Sequence, residues 1–235
     1  MQYVNDPTGI TQYTFDAVSN LIQVSQGNQT RSFSYDSLHR LVSATNPESG
    51  TVLYSYDNAG NLVTRTDAAG KITCFGTLTG SNCASGYDAL NRPTRKSYSG
   101  GVPAVTYNYD YGNAPGSNSL GQLTMVQNDY STTFYTSFDA MGNVVGSSQA
   151  LLGNSYNFSY TYNLAGALTS EMYPSGRVVN TSYDGANRVN AVTGTLQGQT
   201  KNYADPISYC PHGGLYLTGR AMGWCRRGIT TAGCR

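Results

Sequence analysis

The most informative feature of this 235-residue sequence is its shortage of charged residues. They make up 11% of the chain, and the formal net charge is +1. A chain with so little net charge has no electrostatic field that would attract nucleic acid or an anionic membrane. There are only two Glu and three Lys, whereas exposed helix faces are normally built from Glu, Lys, Gln and Arg. The composition therefore argues against helices and predicts no nucleic-acid partner.

Long hydrophobic runs are also missing. No apolar run approaches the roughly 18 residues of a membrane helix, and the first residues lack the basic and apolar regions of a signal peptide. We predict no membrane span, and we expect any export signal of the parent protein to lie outside this sequence. What the chain does contain is 20 Tyr and 27 Gly. Tyr, Thr and Val favour strands, while Gly and Asn favour turns, so the fold is predicted to be all-β.

A short motif repeats along the chain. Seven segments of seven residues align without gaps, and they begin at Phe15, Tyr35, Tyr56, Tyr87, Phe138, Tyr162 and Tyr183. The second column contains Asp16, Asp36, Asp57, Asp88, Asp139 and Asp184, with Asn163 in the remaining copy. The fifth column contains Ser19, His39, Gly60, Asn91, Gly142, Gly166 and Asn187. An eighth copy is split by an insertion: Tyr109-Asp110 opens it and Leu120-Gly121-Gln122-Leu123 closes it.

Each column has a structural interpretation. The first-column aromatic ends a strand whose alternate residues are also large, such as Phe33 before Tyr35, and a period of two places them on one face. The Asp can accept hydrogen bonds from backbone N–H groups about two residues further on. The fifth column is rich in Gly and Asn, which predicts a left-handed backbone there. Leu, Val or Pro in the seventh column begins the next strand.

Each repeat is therefore predicted to be a β-hairpin of about 20 residues. A single hairpin is marginally stable in water, so the hairpins must stack side by side. The predicted fold is an array of stacked antiparallel β-hairpins that forms a coiling sheet over residues 1–215. Because Tyr buries a large ring but needs a partner for its hydroxyl, we expect a thin, partly hydrated core.

These columns resemble the YD-repeat family, also called the RHS (rearrangement hot spot) repeat family, whose pattern is Tyr-Asp-x-x-Gly-[Asn/Arg]-Leu. The resemblance covers roughly residues 10–215. Residues 209–215 read Tyr-Cys-Pro-His-Gly-Gly-Leu, which is similar to a Tyr-x-Pro-His-Gly-x-Leu segment of some bacterial members.

The resemblance implies a structural role. In bacterial RHS proteins and related insecticidal toxin complexes, such repeats spiral into a hollow β-shell around a C-terminal toxic domain, and the related teneurins use a similar shell in adhesion. By this resemblance, the chain is part of the shell of an exported bacterial toxin or wall-associated protein, and is secreted or on the cell surface. The implied partners are the remainder of the parent shell and an enclosed C-terminal toxin domain.

An adhesion module that binds carbohydrate or a cell surface is the alternative function, because aromatic residues at alternate strand positions could stack on sugar rings. An enzyme is not expected. His39 lies in a turn column, His212 lies in the Pro-His-Gly segment, and the sequence has no nucleophile, zincin or phosphate-loop motif. The row of Asp residues could suggest calcium sites, but hydrogen bonding within each turn explains their spacing better. We predict no catalytic, metal or cofactor site.

Two cysteines bracket a turn-rich stretch of the longest repeat. A disulfide between Cys74 and Cys83 could hold this extended loop in an exported protein. Two free thiols are the other interpretation. The spacing of the pair is not that of zinc ligands.

The repeat pattern stops after Leu215, and residues 216–235 are predicted to be a non-native, out-of-frame tail. The last 20 residues contain four Arg and no acidic residue. Met222 and Trp224 each have a single codon. If the gene is read in the frame one base earlier, these codons force Gly at position 223 and Val at position 225. The other codons permit the string GNGVVQTWNYNSRLQ for residues 221–235, which contains another repeat.

Resequencing of the locus tests the expected frameshift near residues 213–217. We expect the frame one base earlier to continue as the next YD repeat. Stop codons or unrelated residues in that frame would show that the tail is not frameshifted.

Overall fold

The computed structural model describes residues 2–6, 9–110, 116–209 and 215–217. Within these residues the chain forms 22 β-strands and no helix, which confirms the all-β prediction. No helix long and apolar enough to cross a membrane occurs in this part of the chain. The strands are β1 (Gln2–Asp6), β2 (Gly9–Phe15), β3 (Leu21–Gln26), β4 (Gln29–Tyr35), β5 (Leu41–Asn46), β6 (Gly50–Tyr56), β7 (Leu62–Thr66), β8 (Ile72–Cys74), β9 (Gly76–Thr79), β10 (Asn82–Ser85), β11 (Arg95–Tyr98), β12 (Val105–Tyr109), β13 (Leu123–Gln127), β14 (Ser131–Phe138), β15 (Val144–Leu151), β16 (Asn154–Tyr162), β17 (Leu168–Met172), β18 (Val178–Tyr183), β19 (Val189–Leu196), β20 (Gln199–Ala204), β21 (Ile207–Tyr209) and β22 (Leu215–Leu217).

The chain divides into two compact units, and the first comprises residues 1–107 and 127–129. In this unit β1 to β8 form an antiparallel meander, in which each strand pairs with the next one along the chain. β9 and β10, which lie between β8 and β11 in the sequence, form a separate two-stranded hairpin. β8 therefore pairs with β11. β11 in turn pairs with the first residues of β12.

The second unit comprises residues 108–126 and 130–235. Here β14 to β20 form an antiparallel meander, again with each strand paired to the next. β21 and β22 pair with each other as a short hairpin. Both units thus contain the predicted stack of consecutive hairpins.

Hairpins that carry the seven-residue motif share a β-bulge. In the hairpin of β4 and β5, Tyr35 pairs with Leu41 while Ser34 pairs with Ser43, so Val42 has no partner in the ladder. A register shift also precedes the first-column aromatic in the hairpins β2–β3, β6–β7, β14–β15, β16–β17 and β18–β19. Because a bulge increases local right-handed twist, each repeat adds a twist of the same kind to its sheet.

The two faces of the sheet differ in composition. On the aromatic face, Phe33 pairs with Ala44 and Ala44 pairs with Val52 across three adjacent strands, and the last two are each 7% exposed. On the opposite face, hydroxyl side chains bond across strands, as between Thr45 and Thr51 at 2.9 Å. Across the described residues the buried hydrophobic side chains are Ala44, Val52, Cys74 and Phe138. The core is therefore thin, as the high Tyr content predicted.

The extra hairpin of β9 and β10 is held by a disulfide and by a close contact of two glycines. Cys74, which is fully buried, is bonded to Cys83 of β10, and their Cα atoms lie 5.6 Å apart. A Cβ atom added to Gly86 would lie 2.6 Å from the Cα atom of Gly76, so neither position has room for a side chain. This hairpin accounts for the length of the longest repeat.

Candidate functional site

The candidate functional site is the repeated seven-residue motif, called here the Tyr-Asp turn. In the copy at residues 56–62, the N–H of Asp57 donates to the carbonyl of Asn61 at 3.0 Å. The N–H of Gly60 donates to the carbonyl of Asp57 at 3.1 Å. The same two backbone hydrogen bonds form in all seven ungapped copies. Each copy is therefore the same tight turn.

The fifth column has the left-handed backbone that its Gly and Asn content predicted. Across the seven copies its φ angles lie between 58° and 89°. His39, at φ 61°, adopts this conformation, and its Nδ1 lies 3.1 Å from Oδ1 of Asn20 in the preceding turn. His39 is thus a turn residue, as its column indicated.

The Asp carboxylate is used within its own turn. Oδ1 of Asp139 accepts the N–H groups of Met141 and Asn143, each at 2.9 Å, and Oδ2 accepts the side-chain amide of Asn143 at 2.9 Å. The Oδ1 bonds recur at Asp16, Asp36, Asp57, Asp88 and Asp184, and Oδ2 accepts from the Asn or Arg of the sixth column. The carboxylates thus hold the turn together.

These hydrogen bonds lower the pKa of the turn carboxyls. For Asp139, the bond from the Asn143 side chain is the main cause, and the pKa falls below its ordinary value of 3.8. For Asp36 and Asp88 the main cause is the backbone N–H four residues later. At Asp16 and Asp57 desolvation is the largest single effect and raises the pKa, but the hydrogen bonds together outweigh it.

One copy shows what the second column requires. Asn163 replaces Asp, and its Oδ1 accepts the N–H groups of Ala165 at 3.0 Å and Ala167 at 2.9 Å. The geometry of the turn is unchanged although the charge is absent. The column therefore needs a short side chain with an oxygen acceptor.

The first-column Tyr joins its turn to the repeat before it. The hydroxyl of Tyr56 donates to the carbonyl of Leu41, the seventh-column residue of the preceding repeat, at 2.8 Å. Corresponding bonds of 2.7–3.0 Å run from Tyr35 to Leu21, Tyr87 to Leu62, Tyr162 to Val144, Tyr183 to Leu168 and Tyr209 to Val189. Each of these hydroxyl groups thus has the partner that a partly buried Tyr needs.

The sixth column adds a second contact between repeats. The guanidinium of Arg40 lies 4.7 Å from the ring centre of Tyr56 in the next repeat, and Arg188 lies 4.5 Å from that of Tyr209. Arg40 also donates to the carbonyl of Asp57 at 3.0 Å. Cation–π and hydrogen-bond contacts of the Arg therefore join the same two repeats as the Tyr bond, with the donor on the earlier repeat.

The split repeat contacts the next repeat through backbone hydrogen bonds at Phe138. Phe138 follows this repeat, has no hydroxyl and is 4% exposed. Its N–H donates to the carbonyl of Ser117 at 2.9 Å, and the side-chain amide of Asn118 donates to the Phe138 carbonyl at 2.9 Å. Ser117 and Asn118 belong to the insertion, so this part of the inserted loop is hydrogen-bonded to the backbone of the residue that lacks the Tyr hydroxyl.

The sequence interpretation missed that Tyr209 begins another repeat. Tyr209 pairs with Leu215 as Tyr56 pairs with Leu62, and its hydroxyl bonds to Val189. The signal was the six-residue spacing from Tyr209 to Leu215. The paired strand continues to Leu217, two residues past the predicted end of the array. His212 and most of the predicted tail, residues 218–235, lie outside the described residues.

The same geometry occurs in a second class of turn. At the opposite end of the strands, the N–H of Asp67 donates to the carbonyl of Lys71 at 3.0 Å, and its carboxylate accepts the N–H groups of Ala69 and Lys71. The described part of the chain contains no group of three or more His, Cys, Asp or Glu residues that could hold a metal ion. What the recurring arrangement does chemically is to fix the backbone.

Comparisons with known proteins agree with this geometry. A sequence profile of the family described as RHS Repeat matches residues 15–51, 35–72 and 162–199. A search of curated proteins finds no match. Among solved structures, TcdB2-TccC3 is similar at a TM-score of 0.71 and 18% identity, over 88% of this chain and 12% of that chain. A Tc holotoxin pore from Photorhabdus luminescens is similar at 0.68 and 18%, over 88% of this chain and 11% of that one. These likenesses show a shared fold.

The pKa shifts predict acid sensitivity that depends on the turn carboxyls. Because the folded-state pKa values are lowered, this part of the stability is fully present above about pH 5 and is lost as pH falls through the folded pKa, below the ordinary 3.8. We expect Asp139→Ala to reduce stability at pH 7 and to show a smaller further loss at pH 3. Asp139→Asn should retain most of the stability at pH 7, as Asn163 suggests.

Urea unfolding followed by circular dichroism at pH 7 and pH 3 measures both effects. Asp129→Ala is the matched control, because Asp129 is exposed and lies outside the Tyr-Asp turns. An acid loss in Asp139→Ala as large as that of the wild type would contradict this interpretation.

Proposed function

Because the chain belongs to the RHS-repeat family, we propose that it is a structural module in the wall of a shell built from such repeats. The observation that carries this proposal is the Tyr hydroxyl bond from one repeat to the preceding one, as from Tyr56 to Leu41. Together with the Asp hydrogen bonds inside each turn, this bond uses the polar groups of the motif to hold neighbouring hairpins together. The chain has no catalytic role of its own in this proposal.

The proposed setting is an exported bacterial protein, secreted or on the cell surface, whose shell encloses a C-terminal toxin domain. The shared fold with TcdB2-TccC3 and with the Tc holotoxin pore supports it. Since this chain spans 12% of the TcdB2-TccC3 chain, its partners would be the remaining repeats of its parent shell and the enclosed domain.

Adhesion to carbohydrate is supported less well by the contacts of the aromatic rings. Stacking on a sugar needs a free ring face, but Arg40 lies over Tyr56, Arg177 lies over Tyr203 and Arg188 lies over Tyr209. Arg177 also donates to the Tyr203 hydroxyl at 2.7 Å. These rings are engaged within the array, which favours the structural role.

Limited proteolysis of the full-length gene product that contains these repeats tests the proposal, with electron cryomicroscopy to show its shape. We expect a closed shell and a C-terminal domain that resists protease for as long as the repeats stay folded. The control is the same C-terminal domain expressed without the repeats, which should be cleaved quickly. Equal cleavage rates in the two proteins, or an open ribbon with the domain outside, would refute the enclosure.

A further inference from the structure

The sixth column of the Tyr-Asp turn shows how a guanidinium group is held between two repeats. At the joint after Arg40, the guanidinium contacts the carboxylate of its own turn, the second-column carbonyl of the next turn, and the first-column ring of the next turn. These groups are Oδ2 of Asp36 at 2.7 Å, the carbonyl oxygen of Asp57 at 3.0 Å and Tyr56, whose ring centre is 4.7 Å away. An acceptor pair and an aromatic face together form a guanidinium site.

The joint between the repeats that begin at Phe15 and Tyr35, called here the first joint, has Asn20 in the sixth column instead. The Asn20 amide donates to Oδ2 of Asp16 at 2.9 Å, as Nε of an Arg does in other turns. Asn carries no guanidinium beyond that point. The side-chain hydrogen bonds of Asp16 come from its own turn, and within the described residues no cation lies over Tyr35.

A cavity of about 400 Å³ opens at the first joint. Its lining includes Asp16, Tyr35 and Asp36, which correspond to the three residues that hold the Arg40 guanidinium in the next joint. Ile22 and Phe33 add apolar walls. A cleft of this size, apolar apart from a few polar groups, is typical of a small-ligand site. The first joint therefore keeps the binding groups and has open space where the guanidinium would lie.

The acceptors at this joint have capacity for another donor. The carbonyl of Asp57 accepts both the N–H of Gly60 and the Arg40 guanidinium. The corresponding carbonyl of Asp36 accepts the N–H of His39 at 3.0 Å, and a carbonyl oxygen has two lone pairs. The same capacity holds for the turn carboxylate, whose two oxygens offer about four acceptor positions.

We propose that the cavity at the first joint binds a guanidinium group, carried by a small guanidinium compound or by an arginine side chain of a peptide. The group stacks on the ring of Tyr35, donates to the carbonyl of Asp36 and neutralises Asp16. A planar guanidinium fits better than an ammonium, because it stacks on an aromatic face and directs several donors in fixed directions. This site is separate from the proposed shell function, since it concerns one joint and a soluble ligand.

Titration of the wild-type chain with three compounds tests the ligand class. Binding is followed by the NMR signals of the His39 ring, which lines the cavity. Methylguanidinium represents a free compound, N-acetylarginine amide represents a peptide arginine, and N-acetyllysine amide carries the same charge on an ammonium. We expect both guanidinium compounds to shift the signals to saturation and the lysine compound to bind at least about tenfold more weakly. Tighter binding of the arginine amide than of methylguanidinium would identify a peptide as the source, and equal binding a small compound.

Removing the charge of the cavity without removing the turn tests its location. Asp16→Asn should leave the turn folded, because Asn163 forms the same turn with an amide in this column. The dissociation constant for N-acetylarginine amide should rise at least about tenfold, since a charge-assisted hydrogen bond is replaced by a neutral one.

Filling the cavity from within the chain gives the opposite test. Asn20→Arg should place its own guanidinium over Tyr35, as Arg40 lies over Tyr56, and should abolish binding of N-acetylarginine amide. Asn180→Arg is the matched control, because it adds the same charge at an exposed position of β18 that does not line the cavity. It should bind like the wild type.

Four results would overturn the inference: no binding of the guanidinium compounds, equal binding of the arginine and lysine compounds, undiminished binding in Asp16→Asn, or undiminished binding in Asn20→Arg. If circular dichroism shows that a variant is unfolded, the arginine and lysine compounds in the wild type decide. Failure here is separable from failure of the shell proposal, which protease protection of the full-length protein measures.

Discussion

The structure depends on one interaction, the hydrogen bond from the first-column Tyr hydroxyl to the seventh-column carbonyl of the preceding repeat. A hairpin of about 20 residues is marginal by itself, so the joint between hairpins decides whether the array folds. Tyr56 reaches Leu41 across that joint, and five other Tyr residues make the same contact. Where Phe138 stands in place of Tyr, an inserted loop bonds to its backbone instead.

This joint explains how a chain with so thin a core can be ordered. Nearly complete burial of apolar side chains in the described residues is limited to a few, such as Ala44, Val52 and Phe138, and many others are half-buried. The polar contacts therefore carry much of the order: the Asp carboxylate fixes each turn, and the turn places the next Tyr within reach of its carbonyl. Because each repeat contacts mainly its neighbours, stability is expected to accumulate along the array. Such a design suits a wall, in which length and regularity matter more than a deep core.

The sequence was sufficient for the local features and insufficient for the contacts between repeats. The columns predicted the hairpins, the carboxylate bonds and the positive φ at positions such as His39, because turn chemistry depends on residue type over a few positions. The Tyr hydroxyls donate to backbone carbonyls. Because every residue has a backbone carbonyl, the identity of the accepting residue does not reveal the bond. The bulge at Val42 and the separate β9–β10 hairpin depend on strand register. The role of Tyr209 was obscured because Cys210 follows it in the sequence where the other copies have Asp or Asn.

The central claim is tested most directly by removing one hydroxyl at a time and measuring the free energy of unfolding. Tyr56→Phe deletes the donor to Leu41 and should reduce stability by about 0.5–1.5 kcal/mol. Tyr54→Phe is the matched control, two residues away on the same strand face, because the structure shows no hydrogen bond of that hydroxyl within the described residues. It should change stability little. Equal stability of Tyr56→Phe and the wild type, or an equal loss in Tyr54→Phe, would contradict the claim that this bond joins the repeats.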